Sequence, residues 1–387
     1  MAVTAPALVL RLGQVHLDPI WQSAVFGLAI LGAASLLAWA AEAAQTEISQ
    51  ALALAVVALV AVLPEYAVDL YFAIMAARDP VYAHYAVANM TGGNRLLIGV
   101  GWALIPFLLW LSRRKAEIHL EKAQTTEISI LIVATLYSFV IPLKGNLSLV
   151  DTAVLFGLFG LYLVVSYRAK VEEFEPEGPS ASICALPRRW RRLTTVALFL
   201  FPAALILLSA EPFAEGLIHS GKNLGIDEFL LVQWVAPLAS ESPEVVAVSI
   251  FALRGAGAAA LGALVSSKVN QWTLLIGALP LAYSISLGAV GALPMDARQV
   301  EELFLTSAQT AFAIALIANL RFSLTEAAAL FVLFIGQLLL PFPAVRYGFA
   351  VFYLVAALFI LGRDRGRIKE VGRMLISTAR VLRNQKT

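Results

Sequence analysis

Long apolar runs separated by short polar breaks follow one another from residue 24 almost to the C-terminus. A helix needs about 20 mainly apolar residues to cross a hydrocarbon layer about 30 Å thick. On that template eleven spans are predicted, at 24–42, 47–76, 82–111, 126–143, 149–167, 193–213, 227–253, 256–288, 302–319, 324–340 and 345–361. Arg11, His16 and Asp18 interrupt any apolar core ahead of the first span, which argues against a cleaved signal peptide. The first span therefore reads as an uncleaved signal anchor.

Composition agrees with this pattern. Of 387 residues 60% are hydrophobic and 14% charged, against roughly 45–50% and about 25% in soluble domains. The fold class expected is an all-α polytopic membrane protein whose surroundings are the lipid bilayer. A net charge of +2 without a dense basic face speaks against a nucleic-acid partner. Cys184 is the single cysteine, which excludes an internal disulfide. His16, His84, His119 and His219 are scattered with no HExxH spacing, and no phosphate-binding glycine loop occurs. No enzyme activity and no cofactor are expected.

Charge placement sets the topology. Twenty of the 28 Lys and Arg residues fall on one side if the N-terminus lies outside and the C-terminus inside. Six fall on the other side, while Arg95 and Lys268 lie within spans. The positive-inside rule then predicts that orientation, in a bacterial inner (cytoplasmic) membrane. The longest polar break, 168–192, carries Glu172, Glu173, Glu175 and a basic run ending at Arg192, and reads as a cytoplasmic linker. Five spans precede it and six follow, so an internal repeat is expected.

Two spans in matching places carry acids where charge is expensive. The second contains Pro64, Glu65 and Asp69; the seventh contains Glu241, Ser242, Pro243 and Glu244. Proline removes a backbone donor and is expected to kink each helix. An ionised carboxylate at membrane depth costs on the order of 3 kcal/mol. Glu65 and Asp69, four residues apart, share one helix face. The third and eighth spans follow with Asn89, Gly92, Gly93, Asn94 and Arg95, and with Ser266, Ser267 and Lys268. Arg95 and Lys268 are charge partners for the acids. Purely structural salt bridges would leave unexplained why Pro-Glu occurs once in each half.

The second and seventh spans enter from opposite sides, which is the pattern of an inverted-topology repeat with a midplane site. Carboxylates, amides, hydroxyls and kink carbonyls form a hard-oxygen set suited to Ca²⁺ or Na⁺. The candidate cation ligands are Glu65, Asp69, Asn89, Asn94, Glu241, Glu244, Ser266 and Ser267. Glu42, Glu211 and Glu215, near span ends, are candidates to line an ion access path.

These residues resemble the cation/calcium antiporter superfamily, which includes sodium/calcium and proton/calcium exchangers, over about residues 24–340. The hallmark is a pair of inverted five-helix halves, each with a Pro-Glu helix followed by a Gly-Asn-x-x-Gly-Ser-Asn helix. Pro64-Glu65 with Asn89, Gly92, Gly93 and Asn94 matches in the first half. Pro243-Glu244 with Ser266-Ser267 matches more loosely in the second. The stretch from Ala210-Glu211-Pro212-Phe213 through Asp227 also looks like bacterial members described as sodium/proton exchangers. The resemblance implies Glu65 and Glu244 as central ligands and Asn89 as a neutral one. Asp69 and Glu241 are additions to the family pattern; Ala263 and Lys268 stand where it has polar ligands and a closing Asn.

The organisation expected is a first antiporter repeat at 24–167, the linker at 168–192 and an inverted second repeat at 193–340. An extra helix at 345–361, which packs on the bundle or aids homo-oligomer formation, and a basic cytoplasmic tail at 362–387 complete it. The function expected is secondary antiport of Ca²⁺ or another small inorganic cation against Na⁺ or H⁺ by alternating access. The alternatives are a sodium/proton exchanger without calcium transport, and a cation channel or ion-responsive receptor on the same scaffold.

Overall fold

The structure, a computed structural model, describes residues 3–15, 17–44, 62–121, 124–166, 178–340 and 342–383. Residues 47–61 of the second expected span and 168–177 of the expected linker lie outside the described residues. Each of the eleven expected spans nevertheless has a helix.

In chain order the helices are α1 (Ala5–Leu12), α2 (Pro19–Ala44), α3 (Leu63–Ala76), α4 (Val81–Arg113), α5 (Thr125–Lys144) and α6 (Leu149–Ser166). They continue with α7 (Pro179–Cys184), α8 (Arg188–Leu224) and α9 (Glu228–Arg254). Then come α10 (Gly257–Asn270, extended through Gln271–Leu275 and Ile276–Leu287), α11 (Ala297–Ile317), α12 (Leu324–Leu339), α13 (Pro343–Arg363) and α14 (Arg365–Arg383). Eight of the described helices are long and apolar enough to cross a membrane, and α12 is a shorter apolar one. Four short strands, β1 (Glu117–His119), β2 (Asn146–Leu147), β3 (Leu293–Pro294) and β4 (Arg321–Ser323), were not anticipated. Neither were α1 and α14, which stand where the sequence reads as polar ends. Arg188–Arg192, expected in the linker, form the first turn of α8.

The chain divides into two compact units, Met1–Tyr71 with Tyr167–Glu244, and Phe72–Ser166 with Val245–Thr387. The divisions fall inside α3 and α9, one Pro-Glu helix from each half. The first unit is built on α2 against α8, with α1 and α7 packed beside them. Small residues let the two long helices approach: a Cβ on Gly216 would lie 2.9 Å from the Ser23 backbone nitrogen, and one on Gly27 2.9 Å from the Phe213 ring. Such close backbone approach supplies the packing that lipid cannot drive by the hydrophobic effect. Leu36, Ala40, Ala43, Ile183 and Leu198 form a core cluster there.

The second unit centres on α11, which packs on α4, α5 and α13. Its start is fixed locally: Asp296 accepts from the Gln299 N–H at 3.0 Å and the Gln299 amide oxygen accepts from the Asp296 N–H at 2.7 Å. The same capping box, Ser323 with Glu326, starts α12.

Repeat symmetry is written into this unit. A displacement of 174 residues carries Asn94 onto Lys268. It also carries the π-helical segment Leu97–Trp102 onto Gln271–Leu275, and Pro106 onto Pro280. The strands pair across halves, β1 with β4 and β2 with β3, both antiparallel. A first-half strand thus meets a second-half strand twice, in reciprocal order, as twofold-related elements must.

Candidate cation-binding site

The four intramembrane acids belong to the first unit. Glu65 and Asp69 lie one turn apart on α3, and Glu241 and Glu244 three residues apart on α9, so each pair shares a helix face. Glu65 is 4% exposed, Asp69 1% and Glu241 1%, while Glu244 is partly buried. Glu241, Glu244 and Asp69 all lie within electrostatic reach of the Glu65 carboxyl. Like charges buried together repel unless protons or a cation neutralise them. Among the described residues, Oε2 of Glu65 has no hydrogen-bond partner. A buried carboxylate oxygen left so is an available ligand.

The expected kink at Pro243 leaves α9 helical from Glu228 to Arg254, through both Pro237 and Pro243. Proline cannot donate to the carbonyl one turn earlier, and hydroxyls cluster at this weak point. Ser240 donates to the Ala236 carbonyl at 3.3 Å, and Ser242 donates to that of Leu238. Among the described residues no group of three or more His, Cys, Asp or Glu side chains is arranged to hold a metal ion.

The neutral candidates belong to the second unit. Asn89 and Asn94 on α4 are buried, as is Ser267 on α10. Ser266 shares a 2.6 Å hydrogen bond with the Tyr162 hydroxyl. Lys268 is fully buried and donates to the Asn94 side-chain oxygen at 2.6 Å and to its backbone carbonyl at 3.3 Å. Its ammonium also sits 4.0 Å from the centre of the Trp272 ring. Arg95, expected beside the acids, pairs with Glu302 of α11.

That ion pair opens onto a network that sequence reasoning missed. Arg346 of α13 contacts Glu301 at 3.1 Å and Glu302 at 3.6 Å, all buried. Glu301 and Glu302 stand at the edge of the expected span 302–319 and carry no motif, so their burial becomes visible only once the neighbours of α11 are placed. The extra helix α13 is thereby tied to the repeat by charge.

The candidate access residues also have partners. In the first unit, Glu211 pairs with Arg11 of α1 and Glu215 accepts from the Tyr71 hydroxyl at 2.6 Å. With Gln14, Gln22 and Phe26 they line a cavity of about 580 Å³. Glu42 accepts from Ser180 of α7.

The family described as Sodium/calcium exchanger protein matches residues 19–168 and 194–342, most of both halves. The chain belongs to the sodium/calcium exchanger protein family. Its structure is similar to that of the H⁺/Ca²⁺ exchanger CAX, with a TM-score of 0.95 at 46% identity, covering 98% of this chain and 96% of that one. The fold is shared with the Ca²⁺/H⁺ antiporter protein YfkE, at a TM-score of 0.63 and 17% identity over 87% of this chain and 98% of that one. It is shared too with the sodium-calcium exchanger NCX_Mj, at a TM-score of 0.54 and 17% identity over 85% and 98%. No match was found among curated protein sequences. As a member of this exchanger family, the protein is an integral membrane cation antiporter built from two inverted repeats.

Proposed function

We propose that this exchanger moves Ca²⁺ against H⁺ through the carboxylates Glu65 and Glu244, assisted by Asp69 and Glu241. The observation that carries this reading is the buried acid group around Glu65, whose Oε2 is free to take a ligand. Protons and Ca²⁺ neutralise the same carboxylates and therefore exclude each other, which is sufficient to couple their movements. Likeness to the H⁺/Ca²⁺ exchanger CAX supports the proton as coupling ion. From the sequence pattern, Asn89, Ser266 and Ser267 are the neutral donors this reading assigns, while the side-chain oxygen of Asn94 is taken by Lys268, with alternating access exposing the site to one side at a time. The orientation is N-terminus out and C-terminus in, from the distribution of Lys and Arg.

The test is ⁴⁵Ca²⁺ uptake into proteoliposomes under an imposed pH gradient, with Na⁺ gradients in parallel. Uptake is expected to follow the proton gradient and to be lost in Glu65→Gln and Glu244→Gln. Uptake driven only by Na⁺ replaces the coupling ion; normal uptake by both variants refutes the site.

A further inference from the structure

Where α4 passes α12, the packing of the second unit leaves an apolar groove of about 370 Å³. Ala103, Ala327 and Ala328 line it beside the rings of Phe107 and Phe331, which are 47% and 42% exposed. Three alanines are too short to fill the space between larger neighbours, so it stays open. Next to Val100 the two helices close up: a Cβ on Gly99 would lie 2.3 Å from Cγ of Phe334. Water does not occupy an apolar space of this kind. Both helices belong to expected spans, so what the groove meets is lipid.

A ladder of contacts leads from the groove to a charge. The Phe107 and Trp110 ring centres lie 6.3 Å apart, and the Arg114 guanidinium lies 5.1 Å from the centre of the Trp110 ring. Ala103, Phe107 and Trp110 share one helix face, and Arg114 sits in the left-handed turn that ends α4. Arg114 and Lys115 are exposed, and among the described residues neither has an acidic partner. Glu117, two residues further on, pairs with Arg321 at 3.7 Å instead.

The dimensions match those of one leaflet. From Val100 to Trp110 the helix rises about 15 Å at roughly 1.5 Å per residue, and half of a hydrocarbon core about 30 Å thick is also about 15 Å. Tryptophan favours the membrane interface, which sets Trp110 at the headgroups and Val100 near the midplane.

We propose that this groove is a binding site for an anionic phospholipid, with one acyl chain along α4 and α12 and the headgroup phosphate on Arg114 and Lys115. Bases at the ends of membrane helices attract anionic headgroups, and the guanidinium fork matches a phosphate. Charge selects this occupant: a neutral lipid, or an apolar helix of a second copy, fills the groove and leaves both bases unanswered. With the C-terminal end of α4 inside, as the Lys and Arg distribution orients it, the lipid belongs to the inner leaflet.

The experiment is native mass spectrometry of the full-length protein released from detergent micelles, with phosphatidylglycerol or phosphatidylcholine of identical chains added. Wild type is expected to hold the first phosphatidylglycerol in preference to phosphatidylcholine. Arg114→Ala lowers that preference about fivefold, and Arg114→Ala with Lys115→Ala about twenty-fivefold. Ala328→Phe, at an exposed position, fills the groove and weakens both lipids. Equal binding of the two lipids by wild type, or a preference untouched in the double variant, overturns the headgroup site. Undiminished binding in Ala328→Phe overturns the groove, and a dimer which that variant dissociates puts a second copy there and refutes the lipid. The exposed bases can be removed without disturbing the packing, so the charge variants decide even where Ala328→Phe does not fold.

Discussion

Replacing Glu302 by glutamine tests the buried charge network of the second unit. The network is neutral, with Arg95 and Arg346 against Glu301 and Glu302. The side chains of Arg95 and Glu302 are each 2% exposed. Glu302→Gln leaves two guanidiniums facing one carboxylate. At the 3.6 Å separation of Arg346 from Glu302, the attraction lost is about 4–5 kcal/mol for an effective dielectric near 20. Breaking a buried pair by removing one partner costs about 3–5 kcal/mol. Because glutamine retains a hydrogen-bonding oxygen, a loss of about 3 kcal/mol is expected, more than a hundredfold in the unfolding equilibrium. Reversible unfolding by sodium dodecyl sulfate in mixed micelles, followed by tryptophan fluorescence, measures it. The double variant Arg95→Met with Glu302→Gln removes the uncompensated charge and is expected to regain at least about 1 kcal/mol. A single variant within about 0.5 kcal/mol of wild type, or a double variant no better than the single, refutes the charge argument.

Gly99→Ala places a Cβ 2.3 Å from Cγ of Phe334 in the π-helical turn of α4. Overpacking of this kind costs about 1–3 kcal/mol; Phe334→Leu in the same chain is expected to recover part of it by the same unfolding assay. Arg367 of α14 donates to the Ala315 and Leu316 carbonyls at the end of α11 and pairs with Glu326 at 2.8 Å. Arg367→Ala is expected to cost about 1–2 kcal/mol and to accelerate hydrogen exchange along α14, with Ca²⁺ flux retained. Protection of α14 at wild-type level would show that these bonds do not hold it.

Much of this architecture is legible along the chain because lipid obliges each crossing segment to satisfy its own backbone and to be apolar over its whole length. That requirement is local, so eleven spans and the paired Pro-Glu helices can be read from consecutive residues. It also makes each intramembrane charge conspicuous, which is how Glu65, Asp69, Glu241, Glu244, Arg95 and Lys268 stand out. The short strands escape this reading. Their two or three residues have no periodicity to show and exist only because a partner from the other half lies alongside.

What the tertiary structure alone decided is which charge answers which. Arg95 is committed to Glu302, across more than two hundred residues of sequence, and Arg346 joins them from a helix outside the repeats. Lys268 meets Asn94, its own counterpart, only because the two halves fold around a common axis. Hydrophobic length is a property of a segment, whereas the neutralisation of a buried charge is a property of the space around it. The amino-acid sequence by itself therefore determined the class, the spans and the residues that carry charge into the membrane. The packing of the repeats determined that the first of the two buried bases closes an ion pair and the second rests on amide oxygens.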